Sequence, residues 1–169
     1  MVPALDTARL RLREQTAADA PFLLALMNEP AWLRHIGDRG VRTEAEARAY
    51  IESVTRAMYA EHGLGLLLVE RKADGAPLGI CGLLRRAAFS DPDLGFALAA
   101  AHRGHGYAHE AAAATLAHAD EALGLRRVLA LVSPGNRPSI RLLTRLGFVF
   151  ERETESADGE PVLLYARER

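Results

Sequence analysis

Arg103-Gly104-His105-Gly106-Tyr107-Ala108 is the stretch of this sequence whose residue types and spacing most clearly point to chemistry. An apolar run starting at Asp93 leads into it, and a long alanine-rich run follows. Two glycines around a single residue let the backbone curl tightly, so that several N–H groups turn into one concavity. A helix starting there adds its own unpaired N–H groups and the positive end of its dipole. Together these make a site for an anion of the phosphate kind, with Arg103 adding charge at the rim and His105 placed to donate to a phosphate. No Gly-Lys-Ser/Thr follows, so the magnesium-binding hydroxyl of a Walker loop is missing; His109 stands where a GxGxxG fingerprint would have its third glycine. The same residues also read as an ordinary glycine loop ahead of a helix.

Other residues are weighed against the same standard. Asn136 and Ser139 are one helical turn apart at a helix start, where they either face one ligand together or cap the helix. Cys81 lies in the apolar run Leu78-Gly-Ile-Cys-Gly-Leu-Leu84, where a thiol is inert, so no covalent role is expected of it. As the sole cysteine it excludes an intramolecular disulfide and a cysteine-based zinc site. His105 and His109 are four apart and could share a helical face, but no Asp, Glu or Cys of matching spacing completes a metal site, and no metal is expected.

The elements that must position these residues follow from periodicity. Leu10 and Leu12 alternate with arginines and mark a first strand. A helix opens at Thr16 to Asp19 with Phe22, Leu23, Leu26 and Met27, Pro30 interrupts it, and Ala31 to Ile36 form a short second helix. Thr43 with Glu46 is a capping box, predicting a helix to about Tyr59 that buries Ala47, Tyr50, Ile51, Val54 and Met58. Leu64 to Glu70 and Leu78 to Leu84 are strands joined by the turn Ala73-Asp74-Gly75. Asp93 to Ala99 is a fourth strand, and Gly106 to Leu123 a long helix ended by Gly124. Arg127 to Val132 is a buried strand, Pro138 to Leu146 a helix, and Phe148 to Glu155 with Pro161 to Arg167 a closing hairpin around Asp158-Gly159. The order predicts a mixed α/β fold with one central sheet, in one domain spanning 1–169.

Composition sets outer limits. The chain of 169 residues is 49% hydrophobic and 25% charged, typical of a globular domain. With 21 basic and 22 acidic residues the net charge is −1, which gives no sign of a nucleic-acid partner. The N-terminus lacks the basic start and apolar core of a signal peptide, and no apolar run reaches membrane-spanning length, so a soluble protein of the reducing cytoplasm is expected.

Arg103-Gly104-x-Gly106-x-Ala108 resembles the acyl-CoA pyrophosphate loop of the GNAT N-acetyltransferases. Its extension Gly106-Tyr-Ala-x-Glu-Ala111 is similar to the branch that includes the ribosomal-protein N-terminal acetyltransferases. Asn136-x-x-Ser139-x-x-Leu-Leu-x-x-Leu-Gly147-Phe148 resembles a second block of that branch, as do Asn28-Glu-Pro30 and the run Gly37 to Thr43. The resemblance implies a strongly bent mixed sheet, split between the fourth and fifth strands, with helices around it. It implies transfer of the acetyl group of acetyl-CoA to a primary amine by direct attack in a ternary complex.

In that frame the pantetheine arm pairs with the fourth strand at Phe96, Leu98 and Ala99, and the pyrophosphate sits on Arg103, Gly104, His105, Gly106, Tyr107 and Ala108. Asn136 binds the arm, the N–H near Leu98 holds the oxyanion, Asp93 is the base or ammonium anchor, and Ser139 lies near the thiol as a proton donor. Many members carry a tyrosine as general acid seven residues after the asparagine; here that position is Leu143, which leaves Ser139, a water or Tyr107 for the role. Trp32 and His35 fall in the segment that shapes the acceptor pocket in the family, though Trp32 also reads as core. The acceptor is left open among peptide or protein N-termini, amino acids, aminoglycoside-like antibiotics and polyamines, and the assembly between monomer and homodimer. The competing readings are a CoA-binding sensor or structural module without turnover, and a nucleotide-binding protein.

Overall fold

Alternation of leucine with arginine does what period two requires. In the computed structural model, which describes all 169 residues, Leu10 and Leu12 are fully buried on β2 (Leu10–Arg13) while Arg11 faces solvent. A two-residue strand that the sequence did not suggest, β1 (Leu5–Asp6), pairs with β2. The helices α1 (Ala20–Met27), α2 (Pro30–His35), α3 (Glu44–Tyr50) and α4 (Arg56–His62) come next. They are followed by β3 (Leu66–Arg71), β4 (Pro77–Leu84), β5 (Asp93–Leu98) and α5 (Tyr107–Glu121). The chain closes with β6 (Arg127–Val132), α6 (Arg137–Arg145), β7 (Val149–Glu155) and β8 (Pro161–Glu168).

The eight strands form one mixed sheet in the order β1-β2-β3-β4-β5-β6-β8-β7. All neighbours are antiparallel except β5 and β6, which are parallel. The expected hairpin of β3 and β4 is present. Because β1 adds one to the count, the expected fourth and fifth strands are β5 and β6. On one face Cys81, Leu83 and Leu94 pack with Ala111, Ala112 and Leu116 of α5. On the other, Ile80 and Ala99 pack with Leu23, Leu26, Trp32, Ala47 and Ile51.

The third helix departs from expectation. Thr43 caps it as predicted, its hydroxyl accepting the Glu46 N–H at 3.1 Å. Between α3 and α4, however, Ile51–Thr55 forms a π turn. One added residue rotates everything downstream by about 100°. Val54, expected in the core, is 45% exposed, and Tyr59 is buried instead. The Tyr59 hydroxyl accepts the Gln15 N–H at 3.0 Å and donates to the Leu66 carbonyl. Burial pushes this phenol up to about 12, so it stays neutral and can donate.

β4 runs close to its neighbours because it carries glycines where side chains would collide. A methyl on Gly79 would strike the Ala97 carbonyl oxygen, and one on Gly82 the Gly65 carbonyl oxygen. Near the entry to α1, buried Asp19 accepts from both guanidinium arms of Arg13 at 2.9 Å and from the Thr16 N–H at 2.8 Å. Burial pushes its carboxyl up, but Arg13 and Thr16 outweigh burial and hold it below the usual range. A depressed native pKa gives stability that is present above the unfolded value and lost as pH falls through the native one. Asp19→Ala is therefore expected to lower unfolding free energy by about 2–3 kcal/mol at pH 7. In urea titrations the difference from wild type should shrink under acid.

Candidate functional site

The split in the sheet follows from register. The Ala99 N–H donates to the Leu78 carbonyl at 2.9 Å. In the β4–β5 ladder the residues bonded to β4 are then Ala99, Ala97, Gly95 and Asp93. The N–H and C=O groups of Phe96 and Leu98 point the other way, toward β6. There β5 and β6 share one register pair, Asp93 with Leu129, and the Leu129 N–H donates to the Pro92 carbonyl at 2.9 Å. Beyond Asp93 no strand pairs with that edge of β5. The exposed edge is a backbone template for an extended, amide-containing ligand.

At the end of that edge the chain makes the loop read from the sequence. A short 3₁₀ turn at Ala100–His102 leads to Gly104 and Gly106, with φ of 82° and 80°. These left-handed angles favour glycine over any other residue. The backbone N–H groups from Gly104 to His109 donate to nothing in the chain; the next one, of Glu110, bonds the Gly106 carbonyl at 3.1 Å. This row of free donors at the start of a fifteen-residue helix, α5, is an anion cradle. Arg103 lies at its rim, donating to the Leu98 carbonyl at 3.2 Å and standing 4.0 Å from Glu29. Glu29 also accepts the Ala100 N–H at 3.0 Å.

The cradle is held from behind by residues that sequence reasoning missed. Glu110, in the first turn of α5, accepts from Arg9 Nε at 2.8 Å, from the Arg9 N–H at 3.0 Å and from the Thr7 hydroxyl. Burial raises its carboxyl, but Thr7 and Arg9 outweigh this and leave it ionised below the usual range. The Arg9 guanidinium also donates to the His105 carbonyl at 2.9 Å and lies 4.5 Å from the Tyr107 ring centre. Tyr107 is buried in the main core, so it offers the loop its backbone N–H and not its side chain. These ties span 96 to 103 residues of sequence, and only the Glu110 of the quoted motif hinted at them.

Asn136 and Ser139 are brought to the start of α6, just after β6. The Asn136 side-chain oxygen accepts the Ser139 N–H at 3.4 Å, so it does cap the helix. Its amide nitrogen and the Ser139 hydroxyl bond to nothing else in the chain, so capping and ligand contact are compatible. Leu143, at the family's tyrosine position, is buried in the main core. His35, at the end of α2, bonds Ser133 through Nδ1 at 2.6 Å and ties that helix to the loop before α6. Cys81 is buried against the Thr115 hydroxyl, and burial pushes its thiol up to about 12, so it is no nucleophile at neutral pH.

Asp93 begins β5 where the split opens, and it is 2% exposed. Its carboxylate accepts from Arg86 Nε at 3.0 Å, a partner that the sequence reading did not identify. Burial pushes its carboxyl up, and Arg86 only partly offsets that. A buried carboxylate with a raised pKa beside an open strand edge is suited to taking up a proton. No cluster of three or more His, Cys, Asp or Glu side chains is placed to hold a metal ion. No helix is long and apolar enough to cross a membrane.

Comparison with known proteins agrees with this arrangement. Residues 9–149 match the family model for the acetyltransferase (GNAT) domain. A GnaT-family acetyltransferase from Bordetella pertussis is 32% identical, with a TM-score of 0.80 over 98% of this chain and 99% of that one. The N-acetyltransferase p20 of Bacillus licheniformis is 27% identical over 95% of this chain and 92% of its own length. The ribosomal L7/L12 α-N-protein acetyltransferase RimL, solved in complex with coenzyme A, shares the fold at 19% identity, with a TM-score of 0.83 and 98% of each chain covered.

Proposed function

Because the chain belongs to the GNAT acetyltransferase family, and so is an acyl-CoA-dependent N-acetyltransferase, we propose that it transfers acetyl from acetyl-CoA to a primary α-amine by direct attack in a ternary complex. The observation that carries this reading is the run of unpaired N–H groups from Gly104 to His109 at the end of an unpaired strand edge. The run suits a pyrophosphate, and the edge suits the two amides of a pantetheine arm.

The residues then take the following parts. Arg103, His105 and the N–H groups of Gly104, Gly106, Tyr107 and Ala108 bind the pyrophosphate. Phe96 and Leu98 turn their backbone edge to the arm, and the Asn136 amide nitrogen donates to it. Ala99 does not pair with the arm as the sequence suggested, because its N–H is held by the Leu78 carbonyl and its carbonyl by the His102 N–H. Asp93, through a water, accepts the proton of the incoming ammonium. The amine nitrogen bonds the thioester carbon, the Leu98 N–H stabilises the oxyanion, and the carbon–sulfur bond breaks. As the amide forms the nitrogen sheds its second proton to a water, Ser139 protonates the departing thiolate, and that water returns the proton to Ser139. An α-amine, with a pKa of about 7.7–8.0, carries a larger neutral fraction at pH 7 than a lysine amine near about 10.4, and so asks less of Asp93. The lone buried cysteine fits a reducing compartment such as the cytoplasm.

Release of free thiol from acetyl-CoA on mixing with a panel of α-amines tests this proposal. Amine-dependent release, with N-acetyl product by mass, is the expected result. Tight acetyl-CoA binding with no release on any amine would favour a CoA sensor, as would be consistent with Leu143 replacing the family's tyrosine.

A further inference from the structure

One carbonyl on the open edge of β5 is already taken. Leu98 turns its N–H and C=O away from β4, to the side where no strand pairs with it. Its carbonyl accepts from Arg103 Nη2 at 3.2 Å. The 3₁₀ turn at Ala100–His102 folds the chain back, so the arginine reaches the end of the strand it follows. The same Nη2 stands 4.0 Å from Glu29, whose carboxylate accepts the Ala100 N–H at 3.0 Å. The guanidinium bonds to nothing else in the chain, and the side chain is half-exposed. A neutral acceptor and a solvent-screened carboxylate hold it weakly.

Arg103 thus stands between two sites with one guanidinium to serve both. Beside it begins the row of free N–H groups that suits a pyrophosphate. A charged phosphate oxygen binds a guanidinium more strongly than a neutral carbonyl does. When Arg103 turns to the phosphate, the Leu98 carbonyl is left unpaired on the edge, and an amide N–H of the arm can take its place. Each group is then satisfied before and after: the carbonyl exchanges one N–H donor for another, and the guanidinium exchanges a carbonyl for a phosphate. An arm that carries no phosphate meets a different balance. It must displace Arg103 into water with no anion to receive it, which lowers its apparent affinity.

Resting on the acetyl-CoA site read above, we propose that Arg103 is a latch over the pantetheine edge that a phosphate opens. It makes Arg103 a residue that selects the acyl donor: thioesters carrying a pyrophosphate release the Leu98 carbonyl for themselves, and pantetheine thioesters without phosphate do not.

A latch and a plain phosphate contact differ in sign. CoA and pantetheine are each titrated calorimetrically into wild type and Arg103→Ala, with circular dichroism to show that the variant is folded. Arg103→Ala should raise the Kd for CoA about tenfold or more, since a charge-assisted bond is lost. It should lower the Kd for pantetheine about threefold or more, since the carbonyl no longer has to be vacated. The initial slope of thiol release against S-acetylpantetheine concentration, which needs no saturation, should rise by the same factor. Pantetheine binding that is unchanged or weaker in Arg103→Ala, while CoA binding falls, would overturn the latch and leave the acetyl-CoA site standing. CoA binding that is unchanged in the variant would overturn it too, because Arg103 would then not turn to the phosphate. No CoA binding to either protein would contradict the acetyl-CoA site itself, and the latch with it.

Discussion

Gly106→Trp is expected to raise the dissociation constant for acetyl-CoA at least about a hundredfold, or about 2.7 kcal/mol. Two effects act together. Gly106 sits at φ 80°, a conformation an indole-bearing residue rarely adopts, so the N–H groups around it must turn out of the cradle. A Cβ there also comes within 3.4 Å of the Arg9 guanidinium, which holds the His105 carbonyl and Glu110 in place. The substitution thus loosens the clamp behind the loop as well as filling its front. Calorimetric titration of wild type and variant reads the change, and circular dichroism of both shows that the long helix survives. A variant that binds acetyl-CoA as tightly as wild type would remove the loop from the cofactor site.

Asp93→Asn is expected to lower kcat about 10²-fold or more while leaving stability at neutral pH unchanged or slightly improved. The opposition of the two effects is what marks a functional carboxylate. Burial raises the native pKa of Asp93 above its unfolded value, so the native state holds this proton more tightly. Stability from such a group is full below the unfolded pKa and is lost as pH rises through the native one. At pH 7 the ionised, buried carboxylate therefore destabilises the fold, and the neutral amide relieves that. Paired denaturation curves at pH 7 and at about pH 4 should show the gap between variant and wild type closing under acid. Loss of activity together with loss of stability would instead make the Asp93–Arg86 pair a structural strut.

How much of this was legible in the sequence differs by element. The strand, loop and helix from Asp93 to Glu121 were readable because their signals are local: apolar alternation, two glycines that need positive φ, then alanine. The Thr43 cap and the Asp74-Gly75 turn were readable for the same reason. The π turn was not, since nothing in Ile-Glu-Ser-Val-Thr announces an added residue. The phase error it introduced misassigned Val54 to the core and left out Tyr59. The insertion of β8 between β6 and β7 is a matter of tertiary pairing that no local pattern reports.

The site divides in the same way. Gly104, Gly106, Asn136 and Ser139 could be named because their types suit a backbone or cap geometry. Arg86 and Arg9 could not, because an arginine on a surface loop has the same local signature whether or not it holds a functional group. Glu29 was quoted within Asn28-Glu-Pro30 but with no role, since its bond to the Ala100 N–H is a tertiary contact. The free N–H row and the unpaired edge of β5 are properties of missing partners, visible only once the whole fold is assembled.

The central claim is that the unpaired β5 edge and the loop after it hold acetyl-CoA. Isothermal titration of the folded wild-type protein with acetyl-CoA tests it most directly. The account predicts saturable, one-to-one binding with a dissociation constant of about micromolar order, or about −8 kcal/mol. No binding at millimolar acetyl-CoA, by a protein shown to be folded, would contradict it.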